Sequence, residues 1–359
     1  MTITRETMEA ALKKTREAIE GTPTTPEPSF EAEPVAPPEP WFAPVKTGRK
    51  SKGQVTLSEI IQTKCVPNYK FSVYDCPDEL KKYIPKIDKN FVPDKEYALA
   101  LLQAIDMNET LTAYGPPGSG KTETVAQICA WLGRPYIFLS GMGGTDPSDY
   151  IGMNTIEDGD MKWCNGDLSF AVENGLVCLF DEPFKCSATT LMCIQSLIDD
   201  RRTLKLYGQT DMDKATLPAH PEFRLVLADN VRGVGDNMHK YAAEVQDQST
   251  LNRSMFKVKV GYPEADVEVA ILKRKNPTAH PEFLKSVVAT GGLLRKAWEE
   301  DSLSLPYSLR DTNNFVRLAM IEGSAAAAFR KTYFNAASDE EQLIMKKIWQ
   351  TVGFQGERL

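Results

Sequence analysis

LTAYGPPGSGKTETVAQICAWL, residues 111–132, is the stretch on which the fold turns. Leu111–Tyr114 reads as a short apolar strand. Val125, Ile128, Cys129 and Leu132 fall at i, i+3, i+4 and i+7, the spacing of a helix with one buried face. Between them Gly115-Pro116-Pro117-Gly118-Ser119-Gly120-Lys121-Thr122 fits G-x-x-x-x-G-K-[ST], in the strand–loop–helix setting that a phosphate-binding loop needs. Glycines let successive backbone N–H groups converge on phosphate oxygens without Cβ clashes. The helix N-terminus adds the positive end of its dipole. Lys121 can reach the β- and γ-phosphates, and the Thr122 hydroxyl can ligate Mg²⁺. The cofactors implied are ATP and Mg²⁺.

Further strands follow. Tyr136–Leu139 is one; Leu176–Phe180 is another, wholly apolar and followed by Asp181-Glu182. A buried parallel strand delivers such carboxylates to the carboxyl edge of the sheet, beside the phosphate loop. Asp181 is expected to hold the Mg²⁺ hydration shell, and Glu182 to polarise the attacking water. Arg224–Ala228 is a third apolar run, ending in Asp229 and Asn230; Asn230 can hydrogen-bond the γ-phosphate or the water. Leu191, Ile194 and Ile198 mark an amphipathic helix with Ser187 as its N-cap. Strands alternating with helices predict an α/β fold, a P-loop parallel sheet sandwiched by helices.

Beyond Val260 the pattern is helical. Pro263 suits the first position of a helix running to about Lys273. Ser308-x-x-Asp311 and Ser338-x-x-Glu341 each match a capping box ahead of a helical pattern. The expected organisation is a disordered Pro/Glu-rich leader over 1–58, an α/β ATPase core over 59–261 and a C-terminal helical lid over 262–359. Residues 21–50 hold eight Pro, too little apolar surface to offset ordering entropy, and read as a tether. Residues 1–20 carry few apolar residues, Met8, Leu12 and Ile19 among them, and read as a frayed tail or a short docking helix.

Composition narrows the function. The chain has 359 residues, with 42 Lys and Arg against 49 Asp and Glu, a formal net charge of -7. Residues 1–50 hold seven basic and eight acidic residues, so -6 falls on the remainder. That balance, with no interleaved aromatic and basic run, argues against nucleic acid as a partner. No apolar run is long enough to span a bilayer, and the N-terminus lacks a secretory h-region, so no membrane partner and a cytoplasmic location are expected. Seven Cys with no CxxC spacing and only three His, without HExxH, argue against a disulfide framework or a protein-only metal centre.

The order of the phosphate loop, LVCLFDE, FRLVLADN, Arg253 and Arg310 resembles the AAA+ ATPases. TDPSDYIG at 145–152 resembles the PSD-x-x-G segment of MoxR-type members. IPKIDKNFVPDKEY at 84–97, HPEFRLVLADNVRGVGD at 220–236 and AFRKTYFN at 328–335 resemble the small ATPase subunits of aerobic cobaltochelatases. Two positions depart from the family pattern: Ala228-Asp229-Asn230 stands where Thr-Ala-Asn is usual, and Asn252-Arg253-Ser254 where Asp-Arg-aromatic is usual.

The resemblance implies a homo-oligomeric ring, of six subunits, with ATP at the subunit interfaces. Lys121, Thr122, Asp181, Glu182 and Asn230 would come from one subunit, Arg253 as a finger from its neighbour, and Arg310 from the lid. A finger supplied in trans ties hydrolysis to assembly and is worth about 10³–10⁵ in rate. The implied partners are a protein with a von Willebrand A-type domain and a large chelatase subunit that binds the tetrapyrrole. The competing functions are a MoxR-type remodeller of another protein target, a nucleic-acid motor, and a non-catalytic nucleotide-gated scaffold. The acidic balance speaks against the motor, and the pairing of Asp181 with Glu182 against the scaffold.

Overall fold

The structure, a computed structural model, describes residues 51–65, 67–231, 252–354 and 356–359. Most of the expected leader, residues 1–50, and residues 232–251 lie outside the described residues. The expected leader runs to residue 58, but residues 51–58 already hold a strand and the start of a helix. Strand β1 (Ser51–Thr56) pairs antiparallel with β2 (Lys70–Tyr74), and helix α1 (Leu57–Ile61) follows β1 directly. Thr56 and Glu59 cap that helix reciprocally, and Val55 and Leu57 are buried. A single apolar pair beside a polar stretch carries little periodic signal, so its burial is a tertiary fact.

Helix α2 (Lys95–Met107) leads into β3 (Leu111–Tyr114), the phosphate loop and helix α3 (Lys121–Leu132). Strand β4 (Tyr136–Ser140) precedes an excursion: helix α4 (Pro147–Ile151), a hairpin of β5 (Gly152–Glu157) and β6 (Asp160–Asn165), and helix α5 (Asp167–Asn174). Strand β7 (Val177–Asp181) then carries the acidic pair. The single helix expected over 188–198 is two pieces, α6 (Ala188–Met192), capped by Ser187, and α7 (Gln195–Ile198). Between them the bonds tighten to the i−3 type, Ile194 N to Leu191 O at 3.1 Å and Leu197 N to Ile194 O at 2.9 Å. The tightening keeps Leu191, Ile194 and Ile198 all buried.

A second hairpin, β8 (Thr203–Lys205) with β9 (Thr216–Pro218), precedes β10 (Arg224–Asp229), and β11 (Phe256–Lys259) completes the sheet. The sheet is parallel in the order β11-β3-β10-β7-β4. Its inner strands are buried on both faces, which explains their unbroken apolar runs. Leu111, Ala113, Val177, Leu179, Val226 and Ala228 face α2 and α3. Cys178, Phe180, Leu225 and Leu227 face the other way, against Leu168 and Val172 of α5. The period-2 split sandwiches the sheet between helices, as the sequence predicts.

Five helices follow: α8 (Ala265–Lys275), α9 (Pro281–Glu299), α10 (Leu309–Glu322), α11 (Ala325–Thr332) and α12 (Asp339–Val352). They share a separate core in which Phe315, Phe329, Trp349 and Phe354 pack ring on ring. Both predicted capping boxes form, at Ser308 with Asp311 and at Ser338 with Glu341. Pro263 does not open α8, which starts at Ala265. The connection before it stays extended because the Tyr262 hydroxyl donates to Pro117 O at 2.9 Å, tying it to the phosphate loop. Among the described residues no helix is long and apolar enough to cross a membrane.

Candidate nucleotide site

The phosphate loop leaves β3 and turns into α3 with Gly118 and Gly120 at φ +66 and +91, in the left-handed region that favours glycine. Gly115 N donates to Asp229 O at 3.1 Å, so the start of the loop is pinned to the end of the neighbouring strand β10. Lys121, the first residue of α3, is buried. Its Nζ donates to Gly115 O at 2.8 Å, Pro116 O at 2.9 Å and Asn230 Oδ1 at 3.0 Å. Burial lowers its pKa to about 8, against the raising pull of Asp181, Asp229 and Glu182. The Lys121 carbonyl accepts from the buried Tyr97 hydroxyl at 3.2 Å.

Parallel register brings the acidic pair to this loop. Asp181 ends β7, one strand beyond β10, and the Thr122 hydroxyl donates to its Oδ2 at 3.1 Å. Burial pushes the Asp181 carboxyl up, and the Thr122 hydrogen bond opposes it. Glu182 stands in the left-handed region at φ 52. Asn230 Nδ2 donates to Glu182 Oε1 at 2.9 Å, and Lys185 Nζ to Glu182 Oε2 at 2.6 Å. A continuous path of hydrogen bonds therefore runs from Lys121 through Asn230 to Glu182.

The donor set fits a Mg-nucleotide. Lys121 is satisfied only by carbonyls of its own loop and one amide oxygen, which a phosphate can replace. The Ser119 hydroxyl in the same loop is buried with no hydrogen-bond partner. A hydroxyl and a carboxylate in hydrogen-bond contact, Thr122 and Asp181, are hard oxygen donors of the kind Mg²⁺ takes.

Two of the predicted residues lie outside this network. Arg253, half-buried just ahead of β11, donates from Nη1 to Gln195 Oε1 of α7 at 2.8 Å. Arg310 is exposed in the first turn of α10, the helix whose cap, Ser308, lies against Gly118. Sequence reasoning missed Tyr97, Lys185 and Tyr262. Tyr97 and Tyr262 act through single contacts with the loop and carry no motif; Lys185 sits three residues after Glu182, a spacing that means little until a turn folds it back.

Residues 111–244 match the model of the AAA domain, dynein-related subfamily. The chain is 27% identical over 277 residues to the aerobic cobaltochelatase subunit CobS of a Sinorhizobium species, covering 75% of this chain and 82% of CobS. It is 30% identical over 145 residues to the protein NorQ of Paracoccus denitrificans, 40% of this chain and 52% of NorQ. A third relative is von Willebrand factor A domain-containing protein 8 of Mus musculus, 22% identical over 225 residues, 60% of this chain and 12% of that protein. Over residues 111–244 the chain therefore matches an AAA domain of the dynein-related subfamily, and over the lengths given it is similar to CobS and NorQ.

Proposed function

We propose that this chain is a Mg-ATP-hydrolysing motor subunit of a cobaltochelatase-like assembly, coupling hydrolysis to metal insertion into a tetrapyrrole by partner subunits. The observation that carries the ATPase reading is the hydrogen-bonded path Lys121–Asn230–Glu182 with Thr122 on Asp181 beside it. The phosphate-loop amides and Lys121 would bind the β- and γ-phosphates, and Thr122 and Asp181 would hold Mg²⁺. Bound Mg²⁺ supplies charge neutralisation at the phosphate oxygens. Glu182 orients and polarises the attacking water, Asn230 links that carboxylate to the phosphate end, and Arg310 approaches from the lid. Arg253 serves the site of the next subunit in a ring of six.

The similarity to CobS over three quarters of the chain supports the chelatase setting. The proposed partners, in the cytoplasm, are a large chelatase-like subunit and a von Willebrand A-domain protein, the latter supported by the similarity to a protein that contains that domain. The NorQ similarity supports a second reading, a MoxR-type remodeller of a different protein target. Lys121→Ala tests the site itself: ATP binding should be lost, and retained micromolar affinity would overturn the loop assignment. Glu182→Gln, expressed in the native cell and purified with ATP, tests the setting. Co-purification of a tetrapyrrole-binding subunit supports the chelatase reading, and a different stoichiometric target supports the second.

A further inference from the structure

Gln62 ties three stretches of chain together. It is the C-cap of α1, at φ 53 in the left-handed region, uncommon for a residue with a side chain. Its Nε2 donates to Lys89 O at 2.8 Å and to Phe91 O at 3.4 Å. Its Oε1 accepts from Nη1 of Arg274, in the last turn of the lid helix α8, at 2.9 Å. The core side of this contact is anchored. Gln127 of α3, the helix that follows the phosphate loop, is buried; its Oε1 accepts from Asp88 N at 2.8 Å and its Nε2 donates to Lys86 O at 3.2 Å.

The lid side is anchored as well. Lys273 folds back on the chain beyond α8, its Nζ donating to Pro277 O at 2.9 Å and to Ala279 O at 2.8 Å. Asn276, buried just past the end of α8, donates from Nδ2 to Leu272 O and to Asn313 Oδ1 of α10, both at 3.1 Å. Asn313 follows Arg310 by about one turn on the helix whose cap, Ser308, lies against Gly118. Helix α8 is thus attached to the core near both ends: Tyr262, just ahead of it, donates to Pro117 O, and Arg274 meets Gln62 in its last turn. The helix has 11 residues, about 16 Å at 1.5 Å per residue. One attachment alone is a pivot, whereas two at that separation fix the direction of the helix.

We propose that Gln62 and Arg274 form a clasp, a pair of positioning residues that fixes α8, and through Asn276 and Asn313 also α10, so that Ser308 and Arg310 keep their station at the phosphate loop and bound nucleotide is retained. The inference rests on that loop binding Mg-nucleotide, as proposed above.

The test is stopped-flow dissociation of the fluorescent nucleotide mant-ADP, with Mg²⁺, from the full chain and from Arg274→Met, Gln62→Leu and the double variant. Arg274→Met keeps an apolar stem and removes the donor. Its dissociation rate should rise about three- to five-fold, the worth of one hydrogen bond net of the water it displaces, at parental melting temperature. Gln62→Leu, which also loses the bonds to Lys89 and Phe91, should rise at least as far. The double variant should match Gln62→Leu, because the shared contact is lost only once. An unchanged rate in Arg274→Met overturns the clasp. So does a double variant whose rate is the product of the two single effects, or a rise that comes only with a lowered melting temperature. Lys121→Ala separates the two readings. Nucleotide retained by that variant removes the phosphate-loop site itself; nucleotide lost from it, with Arg274→Met unchanged, leaves the site and removes the clasp.

Discussion

Gly118 of the phosphate loop lies against Ser308, the N-cap of α10: a Cβ added to this glycine would stand 2.5 Å from the Ser308 Cβ. The loop that would hold phosphate and the helix that carries Arg310 thus meet at a point where one has no side chain. Tyr262 closes the same junction, donating to Pro117 O while Arg295 of α9 lies over its ring at 4.2 Å. Arg295 is in turn paired in buried, bidentate fashion with Glu268 of α8, at 2.6 and 2.7 Å. Packed and hydrogen-bonded groups therefore run without a break from the loop into the interior of the helical lid.

Gly118→Ala should disturb both partners of that junction. The substitution adds a methyl against Ser308 and places a Cβ at φ +66, where an L-residue costs about 1–2 kcal/mol. We expect a loss of stability of that order in urea titration and an ATP affinity at least several-fold weaker by calorimetry. Parental values for both would mean that loop and cap do not meet in solution.

Arg253 should act across a subunit boundary. In its own chain its guanidinium is engaged by Gln195 and not by the Lys121 network. Arg253→Ala and Glu182→Gln should each be nearly inactive alone. A mixture should regain activity, because some sites then combine an intact Glu182 with an intact neighbouring Arg253. ATPase rate is read against mixing ratio once subunit exchange has been verified. A flat line between the two inactive variants, with no maximum near equal mixing, counts against the shared site.

Leu57→Ala should cost about 2–5 kcal/mol, the range for truncating a buried leucine. Leu57 is fully buried in the core that α2, α3 and one face of the sheet share, although it follows a polar stretch of sequence. Chemical denaturation gives the number, and a loss below about 1 kcal/mol would place 51–61 at the periphery.

Asp229 should make stability depend on mildly acidic pH. Burial raises its carboxyl from 3.8 to about 6, against hydrogen bonds from the amides of Phe184 and Val231. Between those values the folded protein keeps a proton that the unfolded chain releases. The contribution is therefore fully present below 3.8 and is lost as pH rises through about 6. Asp229→Asn should remove this downward slope between about pH 4 and 6. A variant whose stability falls across that window as steeply as the parent's assigns the slope to other groups.

The parallel sheet, the phosphate loop and the carboxylates that face it were legible in the order of residues alone. Those features are local: a period-2 or period-3.6 apolar pattern, glycines at turns and capping boxes at Ser308 and Ser338 depend on residues a few positions apart. Packing alone settled that Ser51–Thr56 is a strand, that the 188–198 helix breaks in two, and that Tyr262 holds α8 back to Ala265. It alone put Lys185 on Glu182, Tyr97 under Lys121 and Ser308 on Gly118. Each of these depends on how strands register and chain segments pack. Register aligns Ala228 with Asp181 across β10 and β7 and so sets Asn230 beside Glu182. A single hydrogen bond between residues tens of positions apart leaves no periodic trace, because its geometry exists only once the sheet has been assembled.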